Sequence, residues 1–317
     1  MAYKIIRPAD RQGWLAQREK GIGSSEVGTI LGVNPYDTPY QLWRRKKGLS
    51  APVQENEAMR AGHILESAVA TYFEQESGRK VIKASEGDWL AVDLQRDYLR
   101  VSPDRTYWLS QSHRRGNRGI LECKTTQMDI NPDELPMHWF CQLQYQLGVM
   151  NLPQGSLAWL TRGRKFDYKD FDFDPDFYAY LVEAIDRFYK DCILGNQEPP
   201  VSSVEDVLVK YQHSSDRVIE ADGKIMADIT TLKSLKPQIE GLNQQKKEAE
   251  ERIKLRMADA DTICMAGSKE QNPIILCTWK SAKDSSKFDE KRFAADHPEL
   301  YNSYLTSVPG SRRFNLK

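Results

Sequence analysis

Apolar residues recur at helical spacing over several stretches of the chain, and in alternation or short runs over others. In 55–78, Met59, Leu65, Val69 and Phe73 mark one side, and Gly78 stands where a left-handed C-cap would end the helix. A short helix is expected around Trp14-Leu15-Ala16-Gln17-Arg18. It is followed by Gly21-Ile22-Gly23-Ser24-Ser25-Glu26-Val27, small residues leading into a Ser-capped helix start. After the turn Gly32-Val33-Asn34-Pro35-Tyr36, a basic helix runs through Trp43 to Lys47. In 132–148, Trp139, Leu143 and Leu147 define a further helix, on which Gln142 and Gln146 are i, i+4 neighbours and Gln142 and Tyr145 i, i+3 neighbours. The aromatic-rich stretch 176–192 reads as a core helix. Strand-like runs occupy 97–102, 119–125 and 156–160.

Chemistry concentrates in 119–125. Alternation sends Glu122 and Lys124 to one face of that strand, with Leu121, Cys123 and Thr125 on the other. Asp104 closes the run 97–102, and the polar segment 110–118 is expected to fold that run back onto the second strand. An acid followed by acid-x-Lys on a neighbouring strand is the pattern of the PD-(D/E)XK nuclease core. In that pattern two carboxylates offer hard oxygen ligands to Mg²⁺, with Mn²⁺ as a substitute, and the lysine is a point charge beside the nucleophile. The same acid-x-Lys pair is also what a solvated strand face looks like. Glu66 admits two readings, a rim salt bridge or a third metal ligand reaching across to the sheet. His63 lies one turn earlier on a neighbouring line of the helix.

Composition narrows the field. Lys+Arg and Asp+Glu are both 45 in 317 residues, so the chain as a whole has no net pull on nucleic acid. Positive charge is instead local, at Arg44–Lys47, at Arg114, Arg115 and Arg118, at Arg162, Arg164 and Lys165, and at Arg312-Arg313. No apolar run approaches the roughly 20 residues of a membrane span. The five cysteines contain no C-x-x-C pair, which argues against a zinc or iron–sulfur site. These features, and the absence of a signal-like apolar stretch after Met1, lead to an expected cytoplasmic location.

Taken in order, several blocks resemble the lambda-type exonucleases, including the YqaJ-like viral recombinase nucleases. Arg18 with Gly21–Val27 resembles the opening W-x-x-x-R and Ser-Glu-Val block, and Gly62-His63-Ile64-Leu65-Glu66 the G-x-x-x-E helix. Ser102-Pro103-Asp104 and Glu122-Cys123-Lys124 resemble the catalytic strands, and Cys141-Gln142-Leu143-Gln144-Tyr145 the Q-x-Q-Y helix. The resemblance covers residues 14–159. It implies that Asp104, Glu122 and Glu66 hold Mg²⁺, that Lys124 assists the attacking water, and that Gln142 supports them. It also implies that Arg18 and Ser25 hold the 5′-phosphate of a DNA end, with packing as the role of Tyr145 and no ligand role for His63. The segment after Lys124 lacks an arginine that some relatives carry, so Arg114, Arg115 and Arg118 become candidate duplex contacts.

The expected fold is α/β, a PD-(D/E)XK restriction-endonuclease-like core with a central mixed sheet flanked by helices. A C-terminal helical hairpin and a small β-element complete it. The expected divisions are a nuclease core at 1–200, a linker at 201–222, a helical extension at 223–262 and a β-rich element at 263–317, with strands at 274–279 and 313–316. The extension is expected to cover the nuclease, shape the DNA entrance or bind a partner. The implied activity is a Mg²⁺-dependent 5′→3′ double-strand DNA exonuclease of a phage or prophage recombination system. It would form a homotrimer on DNA ends in the cytoplasm of a bacterial host and work with a single-strand annealing protein. A structure- or site-specific endonuclease on the same core and a non-catalytic end-binding module are the alternatives.

Overall fold

Residues 3–51, 53–82, 89–110, 117–215, 217–265, 273–307 and 310–317 are described by a computed structural model. The chain divides into two units, Met1–Lys210 and Tyr211–Lys317. The first opens with β1 (Tyr3–Ile6), α1 (Arg11–Glu19), α2 (Val27–Ile30), α3 (Pro39–Lys46) and α4 (Glu57–Ser77). It continues with β2 (Val81–Ile82), β3 (Leu90–Asp93), β4 (Arg100–Val101), β5 (Arg105–Trp108), β6 (Arg118–Thr126) and α5 (Met137–Met150). It closes with β7 (Gln154–Thr161), β8 (Lys165–Asp172), α6 (Pro175–Arg187) and α7 (Val204–Lys210).

Local chemistry sets the helix ends. Asn56 accepts a hydrogen bond from the Met59 amide at the start of α4, and Gly78 ends it at φ 68°, the left-handed conformation expected of it. Asp10, Thr38 and Asp174 cap α1, α3 and α6 in the same way.

Five strands form the main sheet in the order β2-β5-β6-β7-β8, with β6 and β7 parallel and the other pairs antiparallel. Helix α5 makes the crossover that a parallel pair requires. One face of the sheet, through Ile120, Leu157 and Trp159, joins a core with Leu143 and Leu147 of α5 and Leu181 and Ile185 of α6. The other, through Tyr107, Leu121, Ala158 and Leu160, packs with Val69, Ala70 and Phe73 of α4. Covered on both faces, β7 is buried from Gly155 to Thr161. Strands β1, β3 and β4 form a second sheet. This helix-flanked mixed sheet, with an acid ahead of β5 and acid-x-Lys on β6, is the PD-(D/E)XK core expected from the sequence.

Three expectations need correction in detail. The partner of β6 is not the run 97–102 but β5, so Asp104 precedes the hairpin strand instead of ending it. Arg100 and Val101 pair with β3 in the other sheet, and the chain changes sheets across Ser102-Pro103, where proline can donate no ladder hydrogen bond. The segment 201–222 is not all linker. Its first part is α7, where buried Asp206 accepts from Thr38 Oγ1 at 2.8 Å and from the Ser202 amide at 3.0 Å.

The third correction lies in the second unit, which contains α8 (Gly223–Met257), β9 (Thr262–Met265), β10 (Ile274–Thr278), α9 (Glu290–Asp296) and α10 (Pro298–Tyr304). The expected helical hairpin is one continuous helix that runs through Pro237. A proline removes one backbone donor and clashes with one carbonyl, at about 3 kcal/mol, but it does not make a turn. Strong helix formers follow it, and Lys246–Glu250 and Lys247–Glu251 pair along the surface. The β-element is real, but β10 pairs with β9, and 313–316 is not a strand.

Candidate active site

Alternation along β6 points Glu122 and Lys124 toward α5, and two glutamines one turn apart on α5 meet them. Glu122 is 2% exposed. Its Oε1 accepts from Lys124 Nζ at 2.8 Å and from Gln142 Nε2, and its Oε2 accepts from Gln146 Nε2 at 2.9 Å. Lys124 Nζ also donates to Gln142 Oε1 at 2.9 Å, which closes a ring of hydrogen bonds around the carboxylate. Gln146 Nε2 lies 3.2 Å from Ser24 Oγ as well, tying the glutamine to the block after α1.

Antiparallel pairing of Arg105 with Leu121 sets Asp104 beside this group, and Asp104 Oδ2 accepts from the Cys123 amide at 2.8 Å. Burial, with the charges of Glu122 and Glu66, pushes the Asp104 carboxyl well above the usual carboxylate range despite the pull of Lys124. Burial alone would lower the Lys124 ammonium, but Glu122 and Asp104 outweigh it and hold it above its ordinary value. Lys124 is therefore a cation and a hydrogen-bond donor. Cys123, whose thiol burial and the same carboxylates push well up, is inert. Glu66, on α4, makes an ion pair with Arg105, whose Nη1 also donates to the Asp104 carbonyl at 2.6 Å.

Among the described residues no three His, Cys, Asp or Glu side chains form a ready metal cage. Mg²⁺ does not need one, since it is commonly bound by one or two carboxylates and completes its shell with water and substrate phosphate. Two adjacent carboxyls, Glu122 buried and Asp104 half-buried and driven toward its neutral form, are the arrangement a divalent cation relieves. The donors are oxygens, so the residues fit Mg²⁺ or Mn²⁺.

A cleft of about 740 Å³ opens over this group and is lined by Arg18, Ser25, Glu66, Asp104 and Gln142 among others. Arg18 Nη2 donates to Ser25 Oγ at 2.6 Å, so the two residues expected to hold a strand end are together and share the cleft with the carboxylates. The expected helix start at Ser24 is a 3₁₀ turn, Ser24–Glu26, followed by the four-residue α2. Its Gly23 amide is occupied by Glu26 Oε2 at 2.8 Å, and Glu26 pairs with Lys46. So short an element adds little dipole, and the cationic character of this wall comes from side chains.

Other candidates lie elsewhere. Arg118 stacks over Trp108, 4.6 Å from the ring centroid, at the start of β6. It is about 13 Å along the strand from Glu122 at the usual rise per residue. Trp108 and Arg118 pair at the strand ends opposite Asp104 and Lys124, which explains the separation. Arg114 and Arg115 lie outside the described residues. His63 lines the cleft but is paired with Glu55 at 2.8 Å. Tyr145 is fully buried and donates to the Ile22 carbonyl at 3.0 Å, a packing role. Gln146, Ser24 and Arg105 are the residues that sequence reasoning left out. The i, i+4 spacing of Gln146 with Gln142 was the available signal for the first, and nothing local pointed to the others.

The YqaJ-like viral recombinase domain matches residues 13–153. Over 322 residues the chain is 30% identical to the uncharacterized protein YqaJ of Bacillus subtilis (strain 168), which spans 97% of this chain and 94% of that protein. The chain belongs to the YqaJ-like viral recombinase family. That bears out the resemblance read from its motifs, and the matched span contains each carboxylate, lysine and glutamine of the site of this YqaJ-like protein. Among solved structures, an alkaline exonuclease (LHK-Exo) from Laribacter hongkongensis is 15% identical, with 63% of this chain and 97% of that chain covered at a TM-score of 0.43. A phage related exonuclease from Haemophilus somnus 129PT is 13% identical, with 56% and 96% covered at a TM-score of 0.40. Likeness at this level bears on neither the chemistry nor the assembly of the YqaJ-like chain.

Proposed function

We propose that this protein is a Mg²⁺-dependent 5′→3′ exonuclease that resects linear double-stranded DNA of a phage or prophage and leaves 3′ single strands. The observation that carries the reading is the hydrogen-bonded group of Glu122, Lys124, Gln142 and Gln146 beside Asp104, with Asp104 and Gln142 lining a cleft that Arg18 and Ser25 also line. Asp104 and Glu122 would hold the metal, and Glu66, now paired with Arg105, could serve as a third carboxylate. Bound there, the metal supplies charge neutralisation at the phosphodiester and acidifies the attacking water. Lys124 holds Glu122 in register and presents an ammonium toward the charge that develops on the phosphate. Gln142, accepting from Lys124 and donating to Glu122, fixes both rotamers. Arg18 grips the 5′-phosphate through a planar guanidinium and Ser25 orients it, so that one strand is delivered to the carboxylates.

No helix among the described residues is long and apolar enough to cross a membrane. The proposed setting is the cytoplasm of a bacterial host, with a single-strand annealing protein taking up the product. Equal positive and negative charge gives a monomer little long-range hold on DNA. Processive digestion then calls for enclosure of the duplex, and a homotrimer is the proposed assembly.

One experiment tests the activity and separates it from endonuclease action. Linear duplexes labelled at 5′ or at 3′ are followed over time with Mg²⁺, beside a covalently closed circle. Early release of the 5′ label with the circle intact is expected. Nicking of the circle, or early release of the 3′ label, refutes the proposal.

A further inference from the structure

Arg100 lies in the wall of the same cleft, and the chemistry above gives it no part. It stands on β4 and is 5% exposed. Its Nε donates to the Asp97 carbonyl at 2.9 Å, and Nη1 donates to the Gln17 carbonyl at 2.8 Å and to Gln17 Oε1 at 3.2 Å. Those acceptors are all neutral. Among the described residues no carboxylate forms an ion pair with Arg100, and its Nη2 has no hydrogen-bond partner.

Three other partly buried arginines of this unit have carboxylate partners. Arg45 pairs with Asp37, Arg79 with Asp170, and Arg105 with Glu66. A guanidinium withdrawn from water is costly, and burial pulls Arg100 below its ordinary value although the charge of the nearby Asp97 partly offsets it, so its charge is only partly compensated. Gln17, which holds Nη1, immediately precedes Arg18 on α1. One hydrogen-bonded link thus connects the Arg100 guanidinium to the residue beside the one that meets Ser25. Two arginines lining one cleft, neither in an ion pair among the described residues and Arg100 only partly compensated, suit a phosphate monoester, which carries nearly two charges, better than a diester.

We infer that Arg100 is a second guanidinium of the phosphate subsite, acting with Arg18 to hold the terminal 5′-phosphate of a DNA strand. The inference rests on the exonuclease reading and on the role of Arg18 in it. The competing explanation is structural: Arg100 closes the last carbonyls of α1 and braces the turn at Asp97.

The test compares wild type, Arg18→Ala, Arg100→Gln and Arg100→Lys on linear duplexes that differ only in a 5′-phosphate or a 5′-hydroxyl. Initial rates, KM and melting temperature are measured for each. Wild type is expected to favour the phosphorylated end. Arg100→Gln is expected to reduce that preference about tenfold through KM, the loss of one charge-assisted contact, while the rate on hydroxyl ends changes little. Arg100→Lys is expected to restore part of the preference, because it keeps the charge without the fork. Should Arg100→Gln fail to fold, the KM ratio of Arg100→Lys for the two ends decides alone. An unchanged preference in a folded Arg100 variant overturns the inference, as does an equal slowing of both substrates with a lowered melting temperature. Loss of preference in Arg18→Ala alone leaves the Arg18 role standing and removes Arg100. If wild type digests both ends equally, the whole phosphate subsite falls, while cleavage itself stands or falls with the labelled-duplex assay.

Discussion

Replacing Gln146 by leucine separates stability from activity at this site. Gln146 Nε2 supplies the hydrogen bond to Glu122 Oε2 at 2.9 Å, and both side chains are almost wholly buried. A hydrogen bond to a charged group contributes about 1.5–3 kcal/mol, so its loss alone predicts a weakened fold. The same glutamine, however, carries a buried Oε1 with no partner among the described residues. An unsatisfied buried acceptor costs about 1–3 kcal/mol, and leucine, of similar size, removes that cost and adds apolar burial. The opposing contributions nearly cancel, and the expected change in unfolding free energy is within about 1 kcal/mol. Activity has no such compensation. Glu122 keeps Lys124 and Gln142 on Oε1 but loses the donor that fixes its other oxygen. Loss of an outer contact of this kind lowers metal affinity or rate by about 10–100-fold. Urea unfolding in chelator, set against Mg²⁺ activation curves on labelled duplex, reads the two effects separately. Wild-type activation in Gln146→Leu would falsify the positioning role. A stability loss above about 3 kcal/mol with normal activation would show that Gln146 serves the fold alone.

Glu122→Ala and Asp104→Ala are expected to abolish cleavage without unfolding the protein, and chelation should do the same to wild type, with Mg²⁺ or Mn²⁺ restoring turnover and Ca²⁺ supporting binding only. Cleavage that survives complete chelation rules the site out. Asp170 is expected to contribute to acid sensitivity. Burial would raise its carboxyl, but hydrogen bonds from Arg79 and Ser156 hold it below the ordinary value. Its contribution is therefore full above the unfolded-state value of about 3.9 and is lost as pH falls through the lower folded-state value. Melting curves from pH 6 to pH 2 should show a shallower acid decline in Asp170→Asn than in wild type, and parallel declines would contradict the assignment. For assembly, light scattering at micromolar concentration is expected to give a trimer. A monomer that nevertheless digests processively breaks the link between enclosure and processivity.

The pairing of Glu122 with Lys124 was legible because strand alternation is a strictly local rule: once 119–125 is a strand, the two must share a face. The β5 register was not, because whether 97–102 or 105–108 pairs with β6 depends on which sheet each joins. Only Pro103 hints at the break between them. Strand β8 was overlooked although Phe166 and Tyr168 alternate within it, and the helical hairpin was wrongly drawn from a proline that the helix tolerates. The deeper gap concerns charge. Sequence exposed the carboxylates of the site and Lys124, but not the second cation, Arg105. Arg105 adjoins Asp104 in the chain yet neutralises Glu66 from α4, while Lys124 neutralises Glu122 two residues away. Burial, with the remaining charge of Glu122 and Glu66, still drives the Asp104 carboxyl toward its neutral form. In the proposed metal site, use of Glu66 as a ligand would require its release from Arg105. Arg105, which no metal-ligand motif would include, would then weigh on the affinity of that site for an ion.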